Sequence, residues 1–292
     1  MTTRTRLRLA AAALCSLFAL TACANGTGGT APDTEFADRE GPTVIGTDTT
    51  AESRVVAALY GQLLTAAGQR VRTATTHYAT PADTTEAVVE GRIGLAPAYE
   101  STVLRTLPGG GALPGNMAAT LSMALPVGVT ALPPAAAEGG VVLAVPGATA
   151  RRHDLKDISD LGRAGGRPTL GGPASTDPDS PTPAALKKAY GVTLTSAGTS
   201  ATADVLVLRS TDPVLTRDHL VVLDDPAEVI PSEHVFPLIQ SPYAGLAARK
   251  ALARLGPVLT TGQLALLAAS VNAGEAPGKA ARSWLRAKGL LK

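Results

Sequence analysis

Apolar and polar positions change in a regular order along the chain from residue 43 onward. The short apolar run Thr43-Val44-Ile45-Gly46 predicts a strand. Thr49-x-x-Glu52 then forms a capping-box pattern. It predicts a helix that ends at Gly68 and carries one apolar face, formed by Val55, Val56, Leu59, Leu63 and Leu64. A strand followed by an amphipathic helix is thus the first predicted unit.

The same alternation repeats immediately downstream. An extended segment begins at Val71, Asp83-x-x-Glu86 predicts the start of a second helix, and the segment from Ile93 to Ala98 predicts a third strand. Alternating strands and helices are typical of a parallel α/β sheet, whose ligands collect near the carboxyl ends of the strands. The fold class predicted from this pattern is therefore α/β.

A Pro-, Gly- and Ala-rich stretch, residues 108–140, interrupts the alternation and predicts a connection between two units. Beyond it, a second α/β unit is predicted from strands at 141–145, 205–208 and 220–223 and from helices at 157–161 and 183–190. After Val235 the chain finishes with helical segments, one capped by Thr260-x-x-Gln263 and one starting at Pro277. We expect these closing helices to pack on the first unit.

The N-terminal segment has a different pattern, that of an export signal. Three arginines precede an apolar run, Leu9 to Leu20, which is shorter than the roughly 20 residues of a membrane-spanning helix. The run ends in Leu20-Thr21-Ala22-Cys23, which resembles the lipobox of bacterial lipoproteins, where the cysteine is acylated. We therefore predict a signal peptide at 1–22, lipidation of Cys23, a tether at 23–41 and a position on the extracellular face of the cell membrane.

Composition excludes several classes of function. With 45% apolar residues the chain is not disordered. Loss of the three signal arginines changes the formal charge from +2 to −1, so no nucleic-acid partner is predicted.

The alternative to lipidation is a buried or disulfide-bonded Cys23, but the second cysteine, Cys15, lies inside the predicted signal. The remaining sequence lacks cysteine, which excludes a disulfide framework, a thiolate metal site and a cysteine nucleophile there.

Catalytic and metal-binding motifs are also missing from the sequence. It contains no Gly-x-Ser-x-Gly, no His-Glu-x-x-His and no Gly-x-x-x-x-Gly-Lys phosphate loop, and its four histidines share no metal-ligand spacing. We therefore predict no enzyme activity, no catalytic residue, no metal and no cofactor.

Motifs in the second half of the chain resemble those of a known family of binding proteins. They are Asp204-Val205, Ser210-Thr211-Asp212-Pro213, Asp218 to Asp225, Val235-Phe236-Pro237-Leu238-Ile239 after Pro231, and the closing segment from Leu259 to Leu290. In this order they are similar to segments of the glycine betaine, choline and proline (osmoprotectant) type of substrate-binding protein of ABC importers. The resemblance implies a two-lobed periplasmic-binding-protein fold of type II, with a hinged cleft that holds a small solute for a membrane permease.

The same resemblance implies how the chain divides into lobes. Residues 42–139 and 240–292 are expected in lobe 1 and residues 140–239 in lobe 2. The reason is that the family's two crossings between lobes match Val141 to Val145 and Val235 to Ile239. Each lobe is then expected to contain one of the two predicted α/β units.

The family's ligand site is only partly kept in this chain. The family has a lysine and a phenylalanine near the first helix, where this chain reads Gly46 to Glu52. One of the family's two tyrosines remains after the third strand, and its Tyr-Asn pair at the return crossing is here Glu-His. The residues that match the family's site segments, and that are expected to contact the ligand, are Asp48, Thr49, Tyr99, Glu100, Thr211, Glu233 and His234.

The acids among these residues leave two interpretations open. Carboxylates beside a tyrosine ring would hold a cation or zwitterion, such as a betaine, choline or proline, because a ring face attracts an ammonium group. Alternatively, Asp48, Glu100 and Glu233 are solvated surface acids, and Thr49 is only a helix-start residue. The protein would then be a surface lipoprotein that keeps the fold as a scaffold for another protein.

Overall fold

The chain folds around two mixed five-stranded sheets in the computed structural model, which describes residues 41–109 and 117–292. The predicted signal peptide, Cys23 and the tether up to residue 40 lie outside these residues. Ten strands are described, in chain order β1 (Thr43–Ile45), β2 (Val71–Thr73), β3 (Leu95–Tyr99), β4 (Val129–Ala131), β5 (Val141–Pro146), β6 (Thr169–Gly171), β7 (Thr195–Gly198), β8 (Val205–Arg209), β9 (Leu220–Val222) and β10 (Val235–Gln240).

Helices cover both sheets. The described α-helices are α1 (Ala51–Ala66), α2 (Pro81–Val89), α3 (Glu100–Thr106), α4 (Met117–Ala124), α5 (Gly147–His153), α6 (Pro183–Tyr190), α7 (Val214–Arg217), α8 (Leu246–Ala253), α9 (Thr261–Asn272) and α10 (Pro277–Ala287). Two 3₁₀ helices lie at Ile158–Ala164 and Ser241–Tyr243. Among the described residues, none of these helices has the length and apolar character needed to cross a membrane. The predicted α/β class is confirmed.

The first sheet has the strand order β2-β1-β3-β10-β4. Strand β1 runs parallel to β2 and β3, as the alternating pattern predicts. Strand β10 returns from the far end of the chain and pairs antiparallel with β3, with Ile239 opposite Leu95. All six residues of β10 are buried, so the return strand is a central part of this sheet. Residues up to 239 are predicted from the sequence to lie in lobe 2, and the exact lobe boundary stays a prediction.

The second sheet repeats the same plan with a different set of strands, in the order β7-β6-β8-β5-β9. Strand β6 is parallel to β7 and β8, and β5 is antiparallel to β8 and β9. In both sheets three parallel strands are thus followed by one antiparallel strand and an outer strand. We call the parts of the molecule built on these sheets the first and second lobes.

Two segments connect the lobes, residues 132–140 between β4 and β5 and residues 223–234 between β9 and β10. They are hydrogen-bonded to each other: the backbone N–H of Gly139 donates to the carbonyl of Glu233 at 3.1 Å, and the N–H of Val235 donates to the carbonyl of Ala137 at 3.0 Å. Glu138 and His234 form an antiparallel bridge between these bonds. The two crossings therefore form one paired hinge.

The closing helices pack against α1 in the core of the first lobe. Leu59, Leu63 and Leu64 of α1 are buried together with Leu264 of α9 and Leu285 of α10. Each leucine removed from water in this way contributes about 1.5–3 kcal/mol. The end of the chain therefore covers the apolar face that the sequence predicts for the first helix.

Three details of local structure differ from the pattern-based predictions. The cap of α1 is Thr50, whose hydroxyl accepts the N–H of Ser53 at 3.1 Å, and not Thr49. Helix α2 begins earlier than Asp83-x-x-Glu86 predicts, because Thr80 and Asp83 form a reciprocal capping box with a proline in the first turn. The stretch 108–140, predicted only as a connection, contains α4 and β4.

Candidate functional site

A cavity of about 360 Å³ lies between the two lobes beside the N-terminus of α1. Its polar lining residues are Asp48, Thr50, Glu52, Tyr99 and Asn272 from the first lobe, and Asp177, Arg209 and Thr211 from the second. Strand β3 ends at Tyr99, and β1 ends shortly before Asp48, so the carboxyl ends of two parallel strands face the cavity. This is where an α/β sheet is expected to hold a ligand.

The turn between β1 and α1 holds Asp48 in place. The Asp48 side chain is buried, and its Oδ1 accepts the backbone N–H of Thr50 at 2.7 Å. The backbone N–H of Asp48 in turn donates to the hydroxyl of Ser53 at 3.2 Å. The turn passes so close to Ile93 that a Cβ on Gly46 would overlap the Ile93 side chain. The position of Asp48 is therefore fixed by local bonds on both sides, in a turn that packs closely against Ile93.

Glu52 lies in the first turn of α1 and joins the two lobes. Its Oε2 accepts the hydroxyl proton of Thr211 at 2.6 Å. Its Oε1 is buried and has no hydrogen-bond partner among the described residues. Burial raises the pKa of Glu52, while the Thr211 hydrogen bond and the charge of Arg209 act in the opposite direction. From the sequence, Glu52 is predicted to cap the helix, and it is not among the residues expected to contact the ligand.

Arg209 and Asp177 form the wall that the second lobe contributes. The Nη1 of Arg209 donates to Oδ2 of Asp177 at 2.7 Å, and the guanidinium carbon lies 5.9 Å from the centre of the Tyr99 ring. Neither residue is predicted from the sequence. Arg209 immediately precedes the Ser210-Thr211 motif, which is the one local signal that points to it.

Gly139 of the hinge leaves space for the side chains of Glu52 and Tyr99 from the first lobe. A Cβ at this position would lie 2.7 Å from Oε1 of Glu52 and would overlap the ring of Tyr99. Any larger residue would therefore displace the tyrosine or the carboxylate. The hinge and the cavity are thus in direct contact.

A second polar group of side chains joins the lobes next to the cavity, and we call Ser101, Arg105, Asp179 and Glu233 the bridge cluster. The backbone N–H of Ser101 donates to Oε1 of Glu233 at 3.0 Å, and the Ser101 hydroxyl lies 2.6 Å from Oδ2 of Asp179. The same hydroxyl also contacts Oε1 of Glu233, and Arg105 pairs with Asp179. Burial, with the nearby Asp179 carboxylate, raises the pKa of Glu233 to about 7.

The residues expected to contact the ligand fall into separate places. Asp48, Tyr99 and Thr211 line the cavity. Glu233 belongs to the bridge cluster, and the carboxylate of Glu100 is buried and accepts the backbone N–H of His234 at 2.8 Å, so both acids are tied to the hinge.

The remaining two expected residues lie at the periphery. Thr49 is exposed, and the wall at this point is formed by Thr50. The His234 ring is partly exposed, with its Nε2 3.7 Å from Oε1 of Glu138. The structure therefore brings together three of the seven expected residues and adds Glu52, Asp177 and Arg209.

The charges of the cavity favour a cation. Its described lining contains three carboxyl groups, from Asp48, Glu52 and Asp177, and one guanidinium, from Arg209. Asp177 and Arg209 pair with each other, and neither acid of the first lobe forms an ion pair with the described residues of the wall. Within residues 41–109 and 117–292 no cluster of three or more His, Cys, Asp or Glu side chains has the arrangement of a metal site. The arrangement suits binding of a small positively charged molecule.

Comparison with known proteins gives a family and a fold. The family model described as the substrate binding domain of ABC-type glycine betaine transport systems matches residues 41–287. No curated protein matches the chain by sequence.

Similar solved structures agree with this match. A glycine betaine/carnitine/choline ABC transporter protein has a TM-score of 0.73 at 18% identity, covering 85% of this chain and 99% of its own. Apo YehZ from Escherichia coli has a TM-score of 0.67 at 18% identity, covering 86% and 99%. Lactococcal OpuAC, closed around glycine betaine, has a TM-score of 0.55 at 17% identity, covering 85% and 96%. These structural similarities show that the chain shares the two-lobed fold of these proteins.

Proposed function

Because the chain belongs to the family of substrate-binding domains of ABC-type glycine betaine transport systems, we propose that it is the membrane-anchored extracellular component that captures a small cationic or zwitterionic solute for its importer. The solute enters the cavity between the lobes, is enclosed as the lobes close about the hinge, and is released to the permease. The observation that carries the proposal is the acidic cavity between the lobes, with Asp48, Glu52 and Tyr99 on one wall.

The side chains of the cavity support binding without chemical change of the solute. Asp48 and Glu52 supply negative charge, and the ring of Tyr99 supplies an electron-rich face on the same side. Thr211 joins the second lobe to Glu52, so closure of the cleft brings that hydroxyl to the same carboxylate that attracts the solute. Glu100 and Glu233, which are also expected from the sequence to contact the ligand, act here through the hinge and the bridge cluster.

Membrane attachment is the second part of the proposal and rests on the sequence alone. Leu20-Thr21-Ala22-Cys23 after a short apolar run supports cleavage before Cys23 and acylation of its thiol. Cys23→Ala is expected to release the protein from the membrane fraction into the medium. Retention of this variant in the membrane fraction would contradict lipid anchoring.

Titration calorimetry of the purified full-length chain tests solute binding. The panel contains choline, glycine betaine, proline and putrescine, with succinate as an acidic comparator. We expect at least one cation or zwitterion to bind and succinate not to bind, because two unpaired carboxyl groups repel an anion. Asp48→Asn should weaken cation binding about tenfold or more, an effect of about 1.4 kcal/mol.

Asp154→Asn is the matched control for this experiment. Asp154 is an exposed aspartate of the second lobe that does not line the cavity, and its carboxylate lies 3.7 Å from Nζ of Lys156. Its replacement should leave the affinity unchanged. If succinate binds tightly, or if no solute of the panel binds, the transport proposal fails and a protein-binding scaffold becomes the better interpretation.

A further inference from the structure

Glu52, which lines the cavity, carries a hydrogen-bond acceptor that the described residues do not satisfy. Oε2 of Glu52 is bonded to Thr211, but Oε1 is buried without a partner among the described residues. A buried polar atom left without a hydrogen bond costs about 1–3 kcal/mol. A ligand that donates an N–H to this oxygen removes that cost on binding, whereas a quaternary ammonium group has no N–H to donate.

The aromatic surface needed for methylated ammonium groups is small. Tyr99 is the one aromatic side chain among the described residues that line the cavity. The guanidinium of Arg209 already lies over its ring, 5.9 Å from the centre. A quaternary ammonium gains its affinity from several ring faces around the methyl groups, and this wall does not supply them.

Three backbone N–H groups around the start of α1 are already bonded within the turn. Thr50 N–H donates to Asp48, Ser53 N–H donates to the Thr50 hydroxyl, and Asp48 N–H donates to the Ser53 hydroxyl. The carboxyl groups of Asp48 and Glu52, which line the cavity from this turn, are acceptors for a donor-bearing cation.

We propose that the solute is a small cation that carries N–H groups, a primary or secondary ammonium or a guanidinium, and that it donates hydrogen bonds to Oε1 of Glu52 and to the carboxylate of Asp48. This inference rests on the proposed function and narrows its class of solute. Although burial raises the pKa of Glu52, a cation placed beside the carboxyl group favours its ionised form. The Asp177–Arg209 pair closes the opposite wall without adding net charge.

A methylation series separates the number of N–H groups from the charge of the ligand. Ethanolamine, N-methylethanolamine, N,N-dimethylethanolamine and choline share one ethanol frame and one positive charge, while their ammonium N–H groups fall from three to none. Titration calorimetry of the full-length chain is expected to show affinity falling along the series, by about tenfold or more between its ends, because hydrogen bonds to a charged acceptor are the strong ones. Guanidine is expected to bind with the donor-rich members.

The variant Glu52→Gln tests whether this carboxylate is the acceptor. It should weaken ethanolamine binding about tenfold or more and narrow the difference between ethanolamine and choline. Glu86→Gln is the control, because Glu86 is an exposed carboxylate on α2 of the same lobe and does not line the cavity. It should leave both the affinities and their difference unchanged. The affinities of the wild-type protein for the methylation series test the inference without depending on the folding of any variant.

The outcomes distinguish this inference from the proposed function. If choline binds as tightly as ethanolamine or more tightly, the inference is wrong while solute capture stands. If ethanolamine is preferred but Glu52→Gln leaves that preference intact in a folded protein, Glu52 is not the acceptor and the inference is also overturned. If no member of this series binds, and guanidine, glycine betaine, proline and putrescine do not bind either, both proposals fail together.

Discussion

Glu233 shows how much a single buried side chain depends on contacts that local sequence does not contain. It is 2% exposed and lies beside Asp179, and the hydroxyl of Ser101 contacts both carboxyl groups. One hydroxyl proton cannot be donated to two carboxylates at once. When Ser101 donates to Asp179, the contact with Glu233 is a hydrogen bond only if Glu233 carries a proton. The raised pKa of Glu233, about 7, agrees with this requirement.

The protonation of Glu233 predicts a pH dependence of stability. The pKa rises from 4.5 to about 7 on folding, so between these values the folded protein holds a proton that the unfolded chain has lost. The free energy of unfolding is therefore expected to fall as the pH rises from about 4.5 to 7, with a contribution on the order of 3 kcal/mol from this group. Glu233→Gln should remove that contribution.

Urea unfolding at pH 5 and pH 8 measures this effect. Glu52 and Glu100 also have raised pKa values, so the wild type should lose stability over this range, and Glu233→Gln should lose less. Glu86→Gln, an exposed carboxyl-to-amide change, should behave like the wild type. Equal losses in the wild type and in Glu233→Gln would contradict a shared proton in the bridge cluster.

The residues of the cavity were predictable only where a motif surrounds them. Asp48, Tyr99 and Thr211 lie in segments that match the family's site, and all three line the cavity. Glu52 and Thr211 are 159 residues apart in the chain, and their hydrogen bond follows from the packing of two lobes. No local pattern contains such a contact, which is why Glu52 is mistaken for a capping residue.

At the scale of secondary structure, periodicity predicts the elements well and their first residues less well. The apolar stripe of α1 is buried as expected, but Thr47, Thr49 and Thr50 all precede the helix and all are possible caps. Which threonine caps the helix depends on the turn that buries Asp48. In residues 108–140 the short elements α4 and β4 are hidden by a composition that is typical of loops.

The choice of cap predicts a difference between two neighbouring threonines. Thr50→Ala removes the acceptor of the Ser53 N–H at the start of α1, and it should lower the free energy of unfolding by about 1 kcal/mol. Thr49→Ala, at an exposed position, should change it by less than about 0.5 kcal/mol. Chemical denaturation of both variants at one pH gives the comparison. A larger loss for Thr49→Ala would show that the cap is misassigned.

At the scale of the whole molecule, the resemblance of the chain to a family predicted the two-lobed fold, which periodicity alone could not predict. Periodicity predicts two α/β units and closing helices, and the parallel pairing of β1 with β2 and β3 follows from it. It does not predict that β10 enters the first sheet between β3 and β4, because antiparallel insertion of a distant strand leaves no local pattern. The two-lobed fold was therefore predictable from motif order, while the pairing of strands was not.

The contacts between lobes predict a shift in the opening of the cleft. Arg105 of α3 pairs with Asp179 of the second lobe, whose side chain is almost fully buried. Arg105→Gln leaves that carboxylate with fewer donors and should favour an open arrangement of the lobes by about 2 kcal/mol. Small-angle X-ray scattering should then report a larger radius of gyration than for the wild type.

Arg92→Gln provides the matched control for this measurement. Arg92 pairs with Glu90 at 2.6 Å on the surface of the first lobe, so its loss does not affect any contact between lobes. The scattering of this variant should equal that of the wild type. An unchanged radius of gyration in Arg105→Gln would show that the bridge cluster does not hold the cleft closed.

The position of β10 also sets the order in which the molecule can be completed during synthesis. The first sheet receives its last strand, β10, only when residues 235–240 have been made, after the entire second sheet. The helices that cover the apolar face of α1 come later still, at the end of the chain. A nascent chain that stops at β4 therefore lacks both an inner strand and the cover of its first helix. Folding of the first lobe must wait for the last quarter of the polypeptide, and such late, distant contacts favour slow folding.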